Sequence, residues 1–221
     1  MKTIDGELPL KADDNFWVGE NAPPRALIDL GPQMIATPQW PDPSIKKVNI
    51  RAAKNDKTIA LRLEWEDATV DNQYGPSALY TDQAAVMFPM DISGEPPAIT
   101  MGNEGDPVNI WLWKAVWQRG VAGSEKSAKG AAGRRQSHWT IDDLNAEGFS
   151  TLTIQDHQDV RGQGLRTGKG LAVVFKRRLN TNDSRDVPLK NSAPMAVAIW
   201  NGSNRETNGQ KGLAGWILLK F

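Results

Sequence analysis

Cysteine is absent from the 221 residues. Disulfides, thiolate zinc sites, iron–sulfur ligation, a Cys nucleophile and thioether attachment of a c-type haem are therefore excluded. Histidine occurs only at His138 and His157, so a His-rich metal site would need carboxylates or a second chain. Both lie among polar, loop-like neighbours and read as exposed. No apolar run approaches the roughly 18–20 residues that span a bilayer. The opening residues Met1 to Glu7 lack the apolar stretch of a secretory signal; the expectation is a cytosolic chain, a processed one, or one exported with a partner. Charge of one sign is lacking too: 26 Lys and Arg balance 26 Asp and Glu, which removes the general basic field of a nucleic-acid binder but leaves room for a local patch. Gly-x-Ser-x-Gly, His-Glu-x-x-His and Walker patterns are missing. Glu64, Glu66 and Asp67 group at a strand end, a pattern that reads as a solvated turn rather than an acid–base pair.

What is present is Trp, nine residues against two Tyr, a level that suits a β core, a sugar-stacking surface or the wall of a flat apolar ligand. The patterning is that of strands. In Thr58–Trp65 the residues Ile59, Leu61, Leu63 and Trp65 alternate with Ala60, Arg62 and Glu64, and with Lys47–Ala53 this segment reads as a hairpin across Lys54–Lys57. Further strands are expected at Ala84–Phe88, Val108–Trp117, Thr151–Ile154, Leu171–Arg178, Ala196–Trp200 and Ala214–Leu219. Val108–Trp117 is apolar on both faces, as for a strand in the middle of something or beside a ligand. Six prolines from Pro23 to Pro43 make residues 1–45 an extended arm with one short strand near Met34–Ile35. Ser137–Asn145 reads as one short helix capped by Thr140. Gly162-Gln163-Gly164 reads as a hairpin connection, and the small, basic stretch 120–136 as a flexible loop or docking surface. The fold class is all-β: one antiparallel β-sandwich domain over 1–221, with long loops, chiefly 120–170, and little helix.

Read from the residues alone, Met87, Met90 and Met195 are core filler, Met101 is a residue at a strand lip and Lys211 a turn lysine. Two stretches change that reading. Met101-Gly102-Asn103-Glu104-Gly105-Asp106-Pro107-Val108-Asn109-Ile110-Trp111-Leu112-Trp113-Lys114-Ala115 and Ala198-Ile199-Trp200-Asn201-Gly202-Ser203-Asn204-Arg205-Glu206, continuing to Asn208-Gly209-Gln210-Lys211, resemble the haem b gamma subunits of the ethylbenzene dehydrogenase, dimethylsulfide dehydrogenase, selenate reductase and chlorate reductase group. These are type II molybdoenzymes of the dimethylsulfoxide reductase family. The likeness extends more weakly through Leu61–Trp65, Asp82–Pro89 and Val173–Arg177.

The resemblance implies a β-sandwich that holds one noncovalent haem b through Met101 and Lys211, and a non-catalytic electron-transfer role. It implies a heterotrimer with a molybdenum-cofactor alpha subunit and an iron–sulfur beta subunit, exchange with a soluble c-type cytochrome or similar carrier, and a periplasmic location. Trp111 and Trp113 would supply a wall of the haem slot. The basic stretch Lys126–Arg135 and the Pro-rich arm would serve as docking surfaces. The alternative is a carbohydrate-binding β-sandwich, which would need exposed, planar Trp on one face.

Overall fold

The structure is a computed structural model, and it describes residues 1–73, 80–118 and 140–221. Two six-stranded sheets form it. The first takes the strands β1 (Lys2–Thr3), β2 (Arg25–Asp29), β3 (Lys47–Lys54), β4 (Thr58–Glu66), β9 (Arg161–Arg166) and β10 (Gly170–Arg178). Its order is β1-β3-β4-β10-β9, with β2 also on β3. The second takes β5 (Gln83–Pro89), β6 (Val108–Lys114), β7 (Ile141–Ala146), β8 (Thr153–Ile154), β11 (Ser192–Trp200) and β12 (Gly212–Lys220), in the order β12-β11-β5-β6-β7-β8. All pairings are antiparallel except β1 with β3. The all-β sandwich expected from the alternation is what forms.

The core lies between the sheets and follows the period of two. Ile59, Leu61, Leu63 and Trp65 of β4 face Ala84, Val86, Phe88, Trp111 and Trp113 of β5 and β6. Trp65 meets Trp113 edge-on at 6.3 Å, and Phe88 lies 5.0 Å from Trp111, separations typical of favourable aromatic pairs.

Four expectations fail locally. Ile141–Ala146 is a strand, not a helix; after Ile141 its inward positions carry the polar Asp143 and Asn145, which hides the period of two. (The start of that expected helix, 137–139, lies outside the described residues, as do His138 and the stretch 120–136.) Gly162-Gln163-Gly164 is part of β9 rather than a connection. Gly164 is required there because a Cβ would stand 2.4 Å from the Trp113 ring. Val108–Trp117 stops as a strand at Lys114 and closes with a single 3-10 turn. Met34–Ile35 is not a strand: the Gln33 side-chain carbonyl accepts from the backbone N–H of Ile35 and Ala36 and bends the chain. Asp67 also departs from the solvated-turn reading. It is buried and accepts from the Thr69 N–H and hydroxyl.

The outward side of the first sheet is covered by the N-terminal arm. Leu8, Ala12 and Trp17 pack on Ala53, Ala60, Ala172 and Val174. Two cations that project from that sheet hold the arm down: Arg62 Nε donates to Ala12 O at 2.7 Å and Lys176 Nζ to Leu8 O at 2.7 Å.

Candidate functional site

The outward side of the second sheet carries its own apolar strip, including Ala85, Met87, Ile110, Leu144, Ala196, Ala198 and Trp200. Loops arch over this strip without filling the space beneath. They leave a cavity of about 520 Å³, a size ordinary for a small ligand or cofactor. Its lid comes from Pro32–Ala36, Ile99–Met101, Phe149–Leu152 and Asn208–Lys211.

Met101 and Lys211, 110 positions apart in sequence, both line this cavity. Met101 stands just before β6, at the end where Val108 pairs with Pro89 and Ala146. Lys211 stands just before β12, where Gly212 pairs with Ile199 and Ile199 with Ala84. The two side chains thus enter from opposite ends of the sheet.

Each is held by its loop. Met101 has a left-handed backbone, φ 75°, uncommon for a non-glycine residue and a sign of an over-determined position. Its carbonyl accepts from Gly148 N at 2.8 Å, and the next N–H, of Gly102, donates to Ala98 O at 2.9 Å. Gly102, at φ +84°, must be glycine, since a Cβ would lie 2.7 Å from Asp106 O. The Trp216 indole donates to Pro97 O at 2.9 Å and fixes the approach to this turn.

The Lys211 loop is anchored by a residue whose importance its sequence context does not signal. Glu206 is fully buried. Its carboxylate accepts from Trp40 Nε1 (3.0 Å), Ser44 N (2.8 Å), Ser44 Oγ (3.1 Å), Asn204 Nδ2 (3.0 Å) and Asn201 N (2.9 Å). Gln33 adds a second tie, donating to Gly209 O at 3.1 Å. Together they fasten the C-terminal loop to the Pro-rich arm. The Lys211 ammonium lies 4.9 Å from the Trp200 ring centroid, and no described carboxylate is ion-paired with it. Burial pulls its pKa down to about 8, which brings the neutral amine within easy reach.

Trp111 and Trp113 are elsewhere. Both are fully buried between the sheets, where their indoles donate to Asn109 Oδ1 (3.2 Å) and Gln118 Oε1 (3.0 Å). They point away from the cavity. On β6 the alternation gives the cavity Ile110, Leu112 and Lys114 instead. Met87, expected as filler, is also in the lining. His157 is exposed, beside Asp183 at 3.2 Å. Among the described residues no group of three or more His, Cys, Asp or Glu could hold a metal ion, and no helix is long and apolar enough to cross a membrane.

A sandwich with an aliphatic cavity on one outer face, reached by a thioether and an amine from opposite ends, is the arrangement of a ligand-carrying β protein. The chain belongs to the ethylbenzene dehydrogenase family, whose model matches residues 21–212. It is 25% identical over 215 residues to a Haloferax mediterranei protein that carries the provisional name respiratory nitrate reductase heme subunit; the match covers 96% of this chain and 68% of that one. It is 28% identical over 180 residues to the chlorate reductase subunit gamma of Ideonella dechloratans, covering 80% of this chain and 65% of that one. The chain therefore spans about two thirds of the length of these relatives. Among solved structures, a family 9 carbohydrate-binding module from Caldicellulosiruptor kristjanssonii in complex with glucose aligns over 96% of this chain and 83% of that one. Its TM-score is 0.41 at 7% identity, too distant a likeness to carry an argument.

Proposed function

We infer that this chain is the haem-carrying gamma subunit of a molybdenum and iron–sulfur oxidoreductase complex, and that it transfers electrons without transforming substrate. The observation that carries this is that Met101 and Lys211 line one apolar cavity, in a chain whose named relatives are a haem subunit and a gamma subunit of reductases. The residues suit a single noncovalent haem b. The slot is lined mainly by aliphatic side chains, and Met101 and Lys211, entering from opposite ends of the sheet, are the residues that would hold the iron. A haem bound there supplies one-electron redox chemistry.

The chain's own groups set its terms. The Met101 thioether is a soft donor that favours ferrous iron and raises the potential. Lys211 binds iron only as the free amine, and its depressed pKa lowers the cost of losing the proton. Held by Met101 and Lys211 together, the haem would supply electron transfer rather than substrate binding. The partners that follow are a molybdenum-cofactor subunit and an iron–sulfur subunit on one side and a soluble cytochrome on the other, in the periplasm.

The carbohydrate reading gains no support from the site. Among the described residues no Trp is exposed, so a stacking platform is not among them. The test is the visible spectrum of the purified chain, oxidised and dithionite-reduced, with a pyridine haemochrome assay. A sharp low-spin reduced spectrum with about one haem b per chain, lost in Lys211→Ala and Met101→Ala, is expected. A colourless protein that refuses added haemin would overturn the reading.

A further inference from the structure

We propose that Lys114 is the anchor for the carboxylates of the bound group, so that the cavity selects a dicarboxylate porphyrin in one orientation. This rests on the haem reading above. Only two charged side chains occur among the described lining residues, Lys114 and Lys211, and both are cations. If Lys211 meets the iron as a neutral amine, Lys114 is the one described lining residue left with a positive charge for an anionic substituent.

Its placement suits that task. Lys114 is the last residue of β6 and pairs directly with Gln83 at the start of β5; Gln83 lines the cavity beside it. A charged donor and an amide donor therefore share one end of the slot. Met101 lies at the other end of the same strand, before Val108, and Lys211 lies across β11 and β5 from Lys114. The Lys114–Gln83 pair thus lies at the end opposite Met101, and it shares its end with Lys211 but is set off sideways from it by the width of β11 and β5.

The rest of that stretch is Ala85, Ile110 and Leu112, which makes a half-buried ammonium costly unless something answers it. Two groups answer it in part. The Trp117 ring centroid is 4.9 Å from Nζ, and Asp142 on the neighbouring strand attracts it, yet burial outweighs that attraction and leaves the Lys114 pKa below its ordinary value. A propionate arriving at this end would complete the compensation with a charge-assisted hydrogen bond.

The test compares two probes on the whole chain: haemin, with free propionates, and haemin dimethyl ester, with both masked. Affinities are read by absorbance titration and by quenching of Trp fluorescence. The wild type should prefer haemin by about ten-fold or more, the scale of one charge-assisted hydrogen bond. Lys114→Gln should bind both probes equally, with the ester affinity unchanged, and Lys114→Arg should restore the preference. Thermal melts of the apoproteins report whether each variant is folded. Should Lys114→Gln not fold, Lys114→Arg and the wild-type preference still decide, because equal wild-type affinity for the two probes overturns the proposal. So does a preference that survives in Lys114→Gln. In both of those outcomes the haem reading stands. Failure of the wild type to take up either probe removes the haem reading and this proposal with it.

Discussion

Both sheets present a strip of small and aliphatic side chains on the side away from the core, and the chain treats the two strips in opposite ways. On the first sheet the arm lies directly on the strip. Leu8, Ala12 and Trp17 are buried to 1% exposure or less, and Arg62 and Lys176 clamp the arm's carbonyls. On the second sheet the loops are tied to each other through Gln33 and Glu206 and to the edge strand β12 through Trp216, rather than packed onto the apolar strip, so the space below them stays open. The rim keeps Met34, Ile35, Phe149 and Leu152 exposed at 46%, 69%, 56% and 48%. An apolar face can thus be closed by packing, which yields stability, or bridged by cross-tied loops, which yields a site. The strands beneath are of the same kind in both cases.

The largest expected effect tests the closed side. Trp17→Ala removes the arm's main anchor and should cost about 3–5 kcal/mol in urea unfolding; a loss under about 1 kcal/mol would mean that the arm is not part of the folded unit. A matched pair of insertions sets the two sides against each other. Ala60→Phe, beneath the arm, should cost about 1–3 kcal/mol by overpacking. Ala198→Phe points into the cavity, should change stability by no more than about 0.5 kcal/mol, and should abolish haemin uptake. Equal destabilisation by both would erase the distinction between the faces.

A third test separates both faces from the core between them. There Arg177 meets Asp186 at 3.2 Å, and Asp143 lies alongside, accepting from Asn109 Nδ2 at 2.6 Å. One cation and two carboxylates are neutral only if a proton is retained. Burial, with the neighbouring Asp186 charge, accordingly pushes the Asp143 carboxyl up. Burial pushes Asp82 up as well, to about 7. A carboxyl whose folded pKa is raised contributes stability below its unfolded value and loses it as pH rises through the folded one. Unfolding free energy should therefore fall from about pH 4 towards pH 8, and Asp143→Asn should be more stable than the wild type at pH 8 by about 1 kcal/mol or more. A wild-type profile flat over that window would contradict the shared proton. The smallest effect is expected at the rim, where Ile35→Ser should alter stability by no more than about 0.5 kcal/mol. A loss above about 1 kcal/mol would show Ile35 closing its face as Leu8 closes the other.

Much of this was legible in the residues. The alternation of β4 separates Ile59, Leu61, Leu63 and Trp65 from Ala60, Arg62 and Glu64 correctly, and the stretches around Met101 and Lys211 bring forward two residues that both line the cavity. What misled was polarity on an inward face. Asp143 and Asn145 made β7 look unlike a strand, and the glycines of β9 looked like a turn although Gly164 exists to admit Trp113. Trp111 and Trp113 lie on the core side of β6 and not on the expected cavity side; the strand is apolar on both faces, so composition does not tell the two sides apart. Lys114 shares its parity with Ile110 and Leu112, and that signal is readable only from a structure in which those two face the cavity.

The sequence alone determined the strands with clean alternation or apolar runs, such as β3, β4, β5 and β10, the all-β class and the exclusion of cysteine-based chemistry, because alternation and composition are local properties. Only the tertiary structure decided which face is core, which is covered and which is left open. Those outcomes depend on contacts between distant segments, such as Glu206 with Trp40 and Ser44 or Arg62 with Ala12, and no local pattern encodes a partner that lies 50 or 166 positions away.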